Sequence, residues 1–138
     1  VNHMKPDCNS REYFKYILDD ASTATFTGRI YVEQDAQKTD AVQTNRNLLL
    51  NEKARVYTRP QLEIFADDVK CTHGATIGRL DEDARFYLEA RGIGREAANS
   101  LLIFAFANEV IEDIAFEALR SRLETILLDR LPDGGMFR

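Results

Sequence analysis

The chain of 138 residues holds only two cysteines and two histidines, and one of each stands close enough in sequence to share chemistry. Cys71 and His73 lie two positions apart in Asp67-Asp68-Val69-Lys70-Cys71-Thr72-His73-Gly74-Ala75-Thr76-Ile77-Gly78, a stretch that reads as a strand. Alternate residues of a strand project from one face, so the thiol and the imidazole point the same way. Such a pair suits a metal or sulfur site, yet it supplies half of one. A structural zinc takes four ligands, and iron-sulfur clusters are usually held by four cysteines. Nothing nearby in sequence completes either set. The competing reading is structural: a cysteine packed as a small apolar residue and a histidine hydrogen-bonded at the end of a sheet.

Other candidates carry less. Asp67 and Asp68 could be extra ligands or an acid pair, but neighbouring strand residues face opposite ways, so they read as turn residues. His3 and Cys8 have no spacing that ties them to Cys71. Gly92-Ile93-Gly94 lacks the Gly-Lys-Ser/Thr of a phosphate loop and has no strand before it. Asn45-Arg46-Asn47 ahead of Leu48-Leu49-Leu50 reads as a loop feeding a buried strand.

The elements that must position the pair fall into two textures, changing near Leu80. Before it come short extended pieces rich in Thr, Val, Ile and aromatics, such as Tyr13 to Leu18, Thr25 to Val32, Leu48 to Leu50 and Leu62 to Phe65. Gly28-Arg29-Ile30-Tyr31-Val32-Glu33-Gln34-Asp35 is echoed by Pro60-Gln61-Leu62-Glu63-Ile64-Phe65-Ala66-Asp67 about 32 residues on, the self-similarity of a stacked-strand solenoid. An antiparallel sandwich would also yield short strands. Leu48, Leu50, Leu62, Ile64 and Val69 are expected to point inward.

After Leu80 the pattern is helical. Asp81 caps a first helix carrying Phe86, Tyr87 and Leu88, which Gly92 and Gly94 end. A second runs from Arg95 to Asp113, and a third from Phe116 to Leu131, stopped by Pro132-Asp133-Gly134-Gly135. The second is apolar all round from Leu101 to Ala107, so either its own domain sandwiches it or one face meets a partner.

Composition excludes several classes. The chain is 44% apolar and 30% charged, as a single globular domain or part of a larger protein would be. A net charge of -5 and the lack of a Lys/Arg run argue against nucleic acid. Leu101 to Ala107 is the longest apolar run and falls far short of the ~20 residues that cross a bilayer. No secretory signal pattern opens the sequence, and two distant cysteines make no disulfide framework, so a reducing cytoplasm is expected.

Several collinear blocks resemble the SufB/SufD family of iron-sulfur cluster assembly proteins. They are Ala36 to Gln43, Asn45-Arg46-Asn47-Leu48-Leu49-Leu50, Pro60 to Thr76, Phe86-Tyr87-Leu88, Arg91-Gly92-Ile93 and Phe104-Ala105-Phe106-Ala107-Asn108-Glu109. Gly74 and Gly78 resemble the SufD branch, since SufB typically carries an acidic residue straight after this histidine and a serine a few places later. The resemblance implies a mainly β fold with C-terminal helices. Residues 1–79 would be the last rungs of a right-handed parallel β-helix, and residues 80–138 a small helical domain that docks the SufC ATPase. Family members are much longer than this chain. It further implies a non-enzymatic scaffold subunit that pairs with SufB through the β-helix, the ATPase activity residing in SufC.

On that resemblance His73 is this chain's half of a nascent iron-sulfur cluster site shared with SufB, and Cys71 is either a second ligand or buried beside it. The chain alone would hold no cofactor. On the second helix Ile103, Phe104, Ala107 and Ile111 share a side and are expected to face SufC, with Phe104 as anchor; Leu101, Leu102, Ala105 and Glu109 share another. With preceding rungs missing, an open sheet end near residue 10 would invite self-association. Two other readings fit the residues. A carbohydrate-active enzyme on a β-solenoid would need a carboxylate cluster on one face, whereas the acids here are scattered. A purely structural interaction module would leave His73 incidental.

Overall fold

The computed structural model describes residues 1–131, so the expected stop at Pro132-Asp133-Gly134-Gly135 lies outside the described residues. Two compact units divide the chain, one of Val1–Gly78 and one beginning at Arg79.

The first unit is built from parallel strands only. They are β1 (Asn2–His3), β2 (Asn9–Leu18), β3 (Thr23–Val32), β4 (Asp40–Leu49), β5 (Arg55–Ile64) and β6 (Lys70–Gly78). Odd strands form one sheet in the order β1-β3-β5 and even strands a second in the order β2-β4-β6. Consecutive strands thus alternate between sheets, and each strand pairs with the strand two later. Asn9 lies opposite Asp40 and Asp40 opposite Lys70, while Thr23 lies opposite Arg55, so one circuit takes about 30 residues. This is the winding of a β-helix. The echo in the sequence is its register: Gly28 sits beside Pro60, Ile30 beside Leu62 and Val32 beside Ile64.

The inward faces follow the period of two that the pleat imposes. On β3, Phe26, Gly28, Ile30 and Val32 are buried; on β4, Ala41, Gln43, Asn45 and Asn47. Phe26 packs against Phe14 of β2 with ring centroids 4.9 Å apart, and against Tyr16 at 6.2 Å, so side chains of the two sheets meet in the interior. Ile30, Val32, Ala36, Ala41 and Ala66 form the apolar core, with Leu62, Val69 and Cys71 packed onto it.

Two expectations change here. Asn45-Arg46-Asn47 is not a loop but the middle of β4. Its two asparagines are buried and half-satisfied: Asn47 Nδ2 donates to Asn45 Oδ1 at 2.7 Å and to the Thr76 carbonyl at 2.9 Å, while Asn45 Nδ2 and Asn47 Oδ1 have no partner among the described residues. Ile64 keeps the register of buried Val32 but is 37% exposed, because β5 is an edge strand. Leu48 is buried, and Leu50, Leu62 and Val69 are half-buried. Pro60 also lies on β5, and edge strands are where a sheet tolerates proline.

The rung corners carry a recurring backbone turn. Asp7 and Lys38 have φ of 58° and 60°, and Asp20 has 52°, the left-handed region that L side chains rarely enter. The corners stack through main-chain bonds, from the Asp7 N–H to the Gln37 carbonyl at 2.9 Å and from the Lys38 N–H to the Asp68 carbonyl at 2.6 Å. Asp67 and Asp68 are bend residues at this corner, as their adjacency implied.

The second unit holds α1 (Glu82–Glu89), α2 (Arg95–Ile111) and α3 (Glu117–Arg130). Asp81 caps α1, accepting from the N–H groups of Asp83 and Ala84 at 2.9 and 3.1 Å. Gly92, at φ 85°, supplies the left-handed turn after it. α2 packs against both α1 and α3. No described helix is long and apolar enough to cross a membrane.

Candidate functional site

Strand β6 carries both chemistry-bearing residues, on one face and at the edge of the even sheet. Cys71 stands beside Ala41 of β4, and His73 beside Gln43. Their surroundings diverge. Cys71 is half-buried against the apolar core. Burial pushes its thiol above the ordinary cysteine value, a backbone hydrogen bond from Ala41 works in the opposite direction, and the Asp40 carboxylate nearby adds to the rise. His73 is exposed. A half-buried, protonated thiol and an accessible imidazole can together offer a metal two donors, the thiol only after losing its proton.

Nothing in the same unit completes the set. Among the described residues no group of three or more His, Cys, Asp or Glu is placed to hold a metal ion. His3 is buried on β1 and shares a hydrogen bond of 2.9 Å between its Nε2 and Ser10 Oγ. Cys8, like Cys71, is a free thiol.

The residues that sequence reasoning missed lie beneath the pair. Gln43 is 1% exposed and its Nε2 donates to Glu12 Oε2 on β2 at 2.9 Å. Glu12, Gln43 and His73 therefore occupy one register across β2, β4 and β6. Gly28 on the opposite sheet makes the room: a Cβ there would come within 2.3 Å of Gln43 Oε1. The signal was present in the polar alternation Gln43, Asn45, Asn47, which has the period of a strand. By contrast Gly74 and Gly78 on β6 have open space where a side chain would project, so the chain's own packing does not require glycine at either.

In the helical unit the expected partner-facing set is not uniformly presented. Ile103 is 7% exposed and belongs to the interior, with Ala97, Ala98 and Ser100. Phe104, Ala107 and Ile111 are half-buried, while Ala105 and Glu109 of the opposite set are exposed. The most exposed apolar side chains here are Phe86 and Tyr87 of α1, and Phe116 and Leu119 at the start of α3. Arg91 lies over the Tyr87 ring, 3.8 Å from its centroid.

Residues 1–106 match the family model described as SUF system FeS cluster assembly, SufBD core domain. The chain is 48% identical over 134 residues to the iron-sulfur cluster assembly protein SufD of Escherichia coli (strain K12), a match covering 97% of this chain and 32% of that protein. It is 46% identical over 123 residues to an iron-sulfur cluster assembly SufBD family protein of Synechocystis, covering 89% and 27%. With SufD of Bacillus subtilis (strain 168) the identity is 35% over 111 residues, covering 80% and 25%. The chain spans about a quarter to a third of the length of these relatives.

Proposed function

Because the chain belongs to the SufBD core-domain family of the SUF iron-sulfur cluster assembly system, we propose that it works as a SufD-like, non-enzymatic scaffold subunit. It pairs with SufB along its strands and with the SufC ATPase through its helices. A nascent iron-sulfur cluster, the cargo of the assembly, forms at a site shared with SufB, to which this chain contributes His73. The observation that carries the reading is the exposed imidazole on edge strand β6, part of a donor set too small to close a coordination shell. An incomplete set on an edge is what a site divided between two chains requires. The bare backbone at Gly74 and Gly78 supports it, since glycine in a strand often marks close approach of another chain. Cys71 serves as a second, proton-gated donor or as packing beside the histidine. Work in a reducing cytoplasm keeps both free cysteines as thiols.

His73→Ala in the assembled complex should lower cluster formation, read by visible absorbance, while SufC binding is unchanged. Clusters forming at the normal rate would make the histidine structural. The chain alone should bind iron poorly. For the helices, Phe104 is the proposed anchor toward SufC, flanked by Ala107 and Ile111, while Ile103 supports it from inside. Truncating a buried aromatic anchor costs ~2 kcal/mol or more of binding, roughly thirtyfold. Phe104→Ala should weaken SufC affinity by that order without lowering the melting temperature much. Unchanged affinity would remove Phe104 from the contact.

A further inference from the structure

We infer that Gln43 is a positioning residue for His73: its buried amide oxygen takes the imidazole N–H and so leaves the opposite ring nitrogen free for a metal. This rests on the reading of His73 as a ligand and names what holds the ring. An ionised carboxylate only accepts hydrogen bonds, so the bond from Gln43 Nε2 to Glu12 Oε2 sets which end of the amide faces β2. The other end, Oε1, is buried and has no hydrogen-bond partner. On the far side of β4 from Glu12, the residue in register with Gln43 is His73. A neutral imidazole carries one N–H and one lone pair, so giving the N–H to Oε1 selects the tautomer and directs the lone pair away from the amide. The amide occupies the space that Gly28 leaves open, with three of its atoms between 2.3 and 2.7 Å from where a Cβ would stand. The exposed His73 ring makes no such bond in the structure and would have to turn onto the unpartnered Oε1; Glu12, Gln43 and His73 would then make a directed row, acceptor to donor and acceptor to donor, ending at the exposed strand.

The test reads the ring itself. Long-range proton-nitrogen NMR spectra of the nitrogen-15-labelled chain, taken where imidazole is neutral, report the tautomer of each histidine, and His3 serves as the internal reference. One tautomer should dominate at His73. Gln43→Met should move it toward the mixture of free imidazole while His3 stays unchanged. Glu12→Gln, which allows the amide to turn over, should move it in the same direction by less, and decides the matter if Gln43→Met does not fold. In the assembled complex Gln43→Met should weaken iron binding about tenfold or more, as losing a partner behind a metal ligand typically does. An unchanged His73 tautomer in the variants that fold would overturn the inference even where His73→Ala abolishes cluster formation. A tautomer shift alongside an unaffected His73→Ala complex would uphold the hydrogen bond and remove the ligand, so the two failures are separable.

Discussion

Cys71 and His73 share a face of β6 but not an environment, and the difference decides how each can act. The common face was legible from a spacing of two. The burial was not, because it depends on which strand lies alongside, and Ala41 and the apolar core come from residues far away in sequence. A thiol held above its ordinary value is largely protonated at neutral pH, each unit of rise removing about tenfold of the thiolate. Iodoacetamide should therefore modify Cys71 more slowly in the folded chain than in urea at neutral pH, with the gap closing as pH rises through the folded value. Equal rates at neutral pH would show that burial does not govern this thiol. By the same sign, any metal held by Cys71 competes with a proton and should bind more tightly as pH rises.

At the level of the strand, polar residues misled where a repeat did not. The echo between Gly28–Asp35 and Pro60–Asp67 is the pairing register of β3 with β5, legible because stacked rungs repeat side-chain types. Asn45-Arg46-Asn47 resembled a loop because asparagine is expected in turns, yet inside a β-helix its amide can bond to the rung above. Asn47→Ala removes the donor to both Asn45 and Thr76 and should destabilise the strand unit by ~1–3 kcal/mol, read from the urea midpoint. A change within error would mean that the pair contributes nothing net. Gly28→Ala should cost less, ~1 kcal/mol, because its methyl meets only the movable end of Gln43, which must shift and give up its bond to Glu12. In the helical unit, Asp81→Ala should lose ~0.5–2 kcal/mol of helix stability, visible as faster amide exchange in the first turn of α1.

Across the whole chain, the change of texture near Leu80 corresponds to the boundary between units at Gly78 and Arg79. What composition could not reveal is which strands lack a neighbour: Ile64 has the sequence of a core residue and the exposure of an edge. Among the described residues strand β2 likewise presents an outer edge of ten residues, and long unpaired edges template pairing with other chains. Sedimentation of the chain should show association that grows with concentration, and strictly monomeric behaviour would mean that the edge is blunted. The corners hold a different lesson. Asp7 and Lys38 adopt the same left-handed backbone, although one is acidic and the other basic and neither is glycine, and only the aspartate belongs to the residues that otherwise visit that region. What passes from rung to rung is therefore a path of the main chain, and the side chain riding on it is free to drift. Lys38→Gly should raise the melting temperature by a few degrees, relieving about 1 kcal/mol of backbone cost. A library randomised at Asp7 and Lys38, with the strands and the buried corner residues Ala36, Thr39 and Ala66 left alone, should diverge at those positions and still wind the same way.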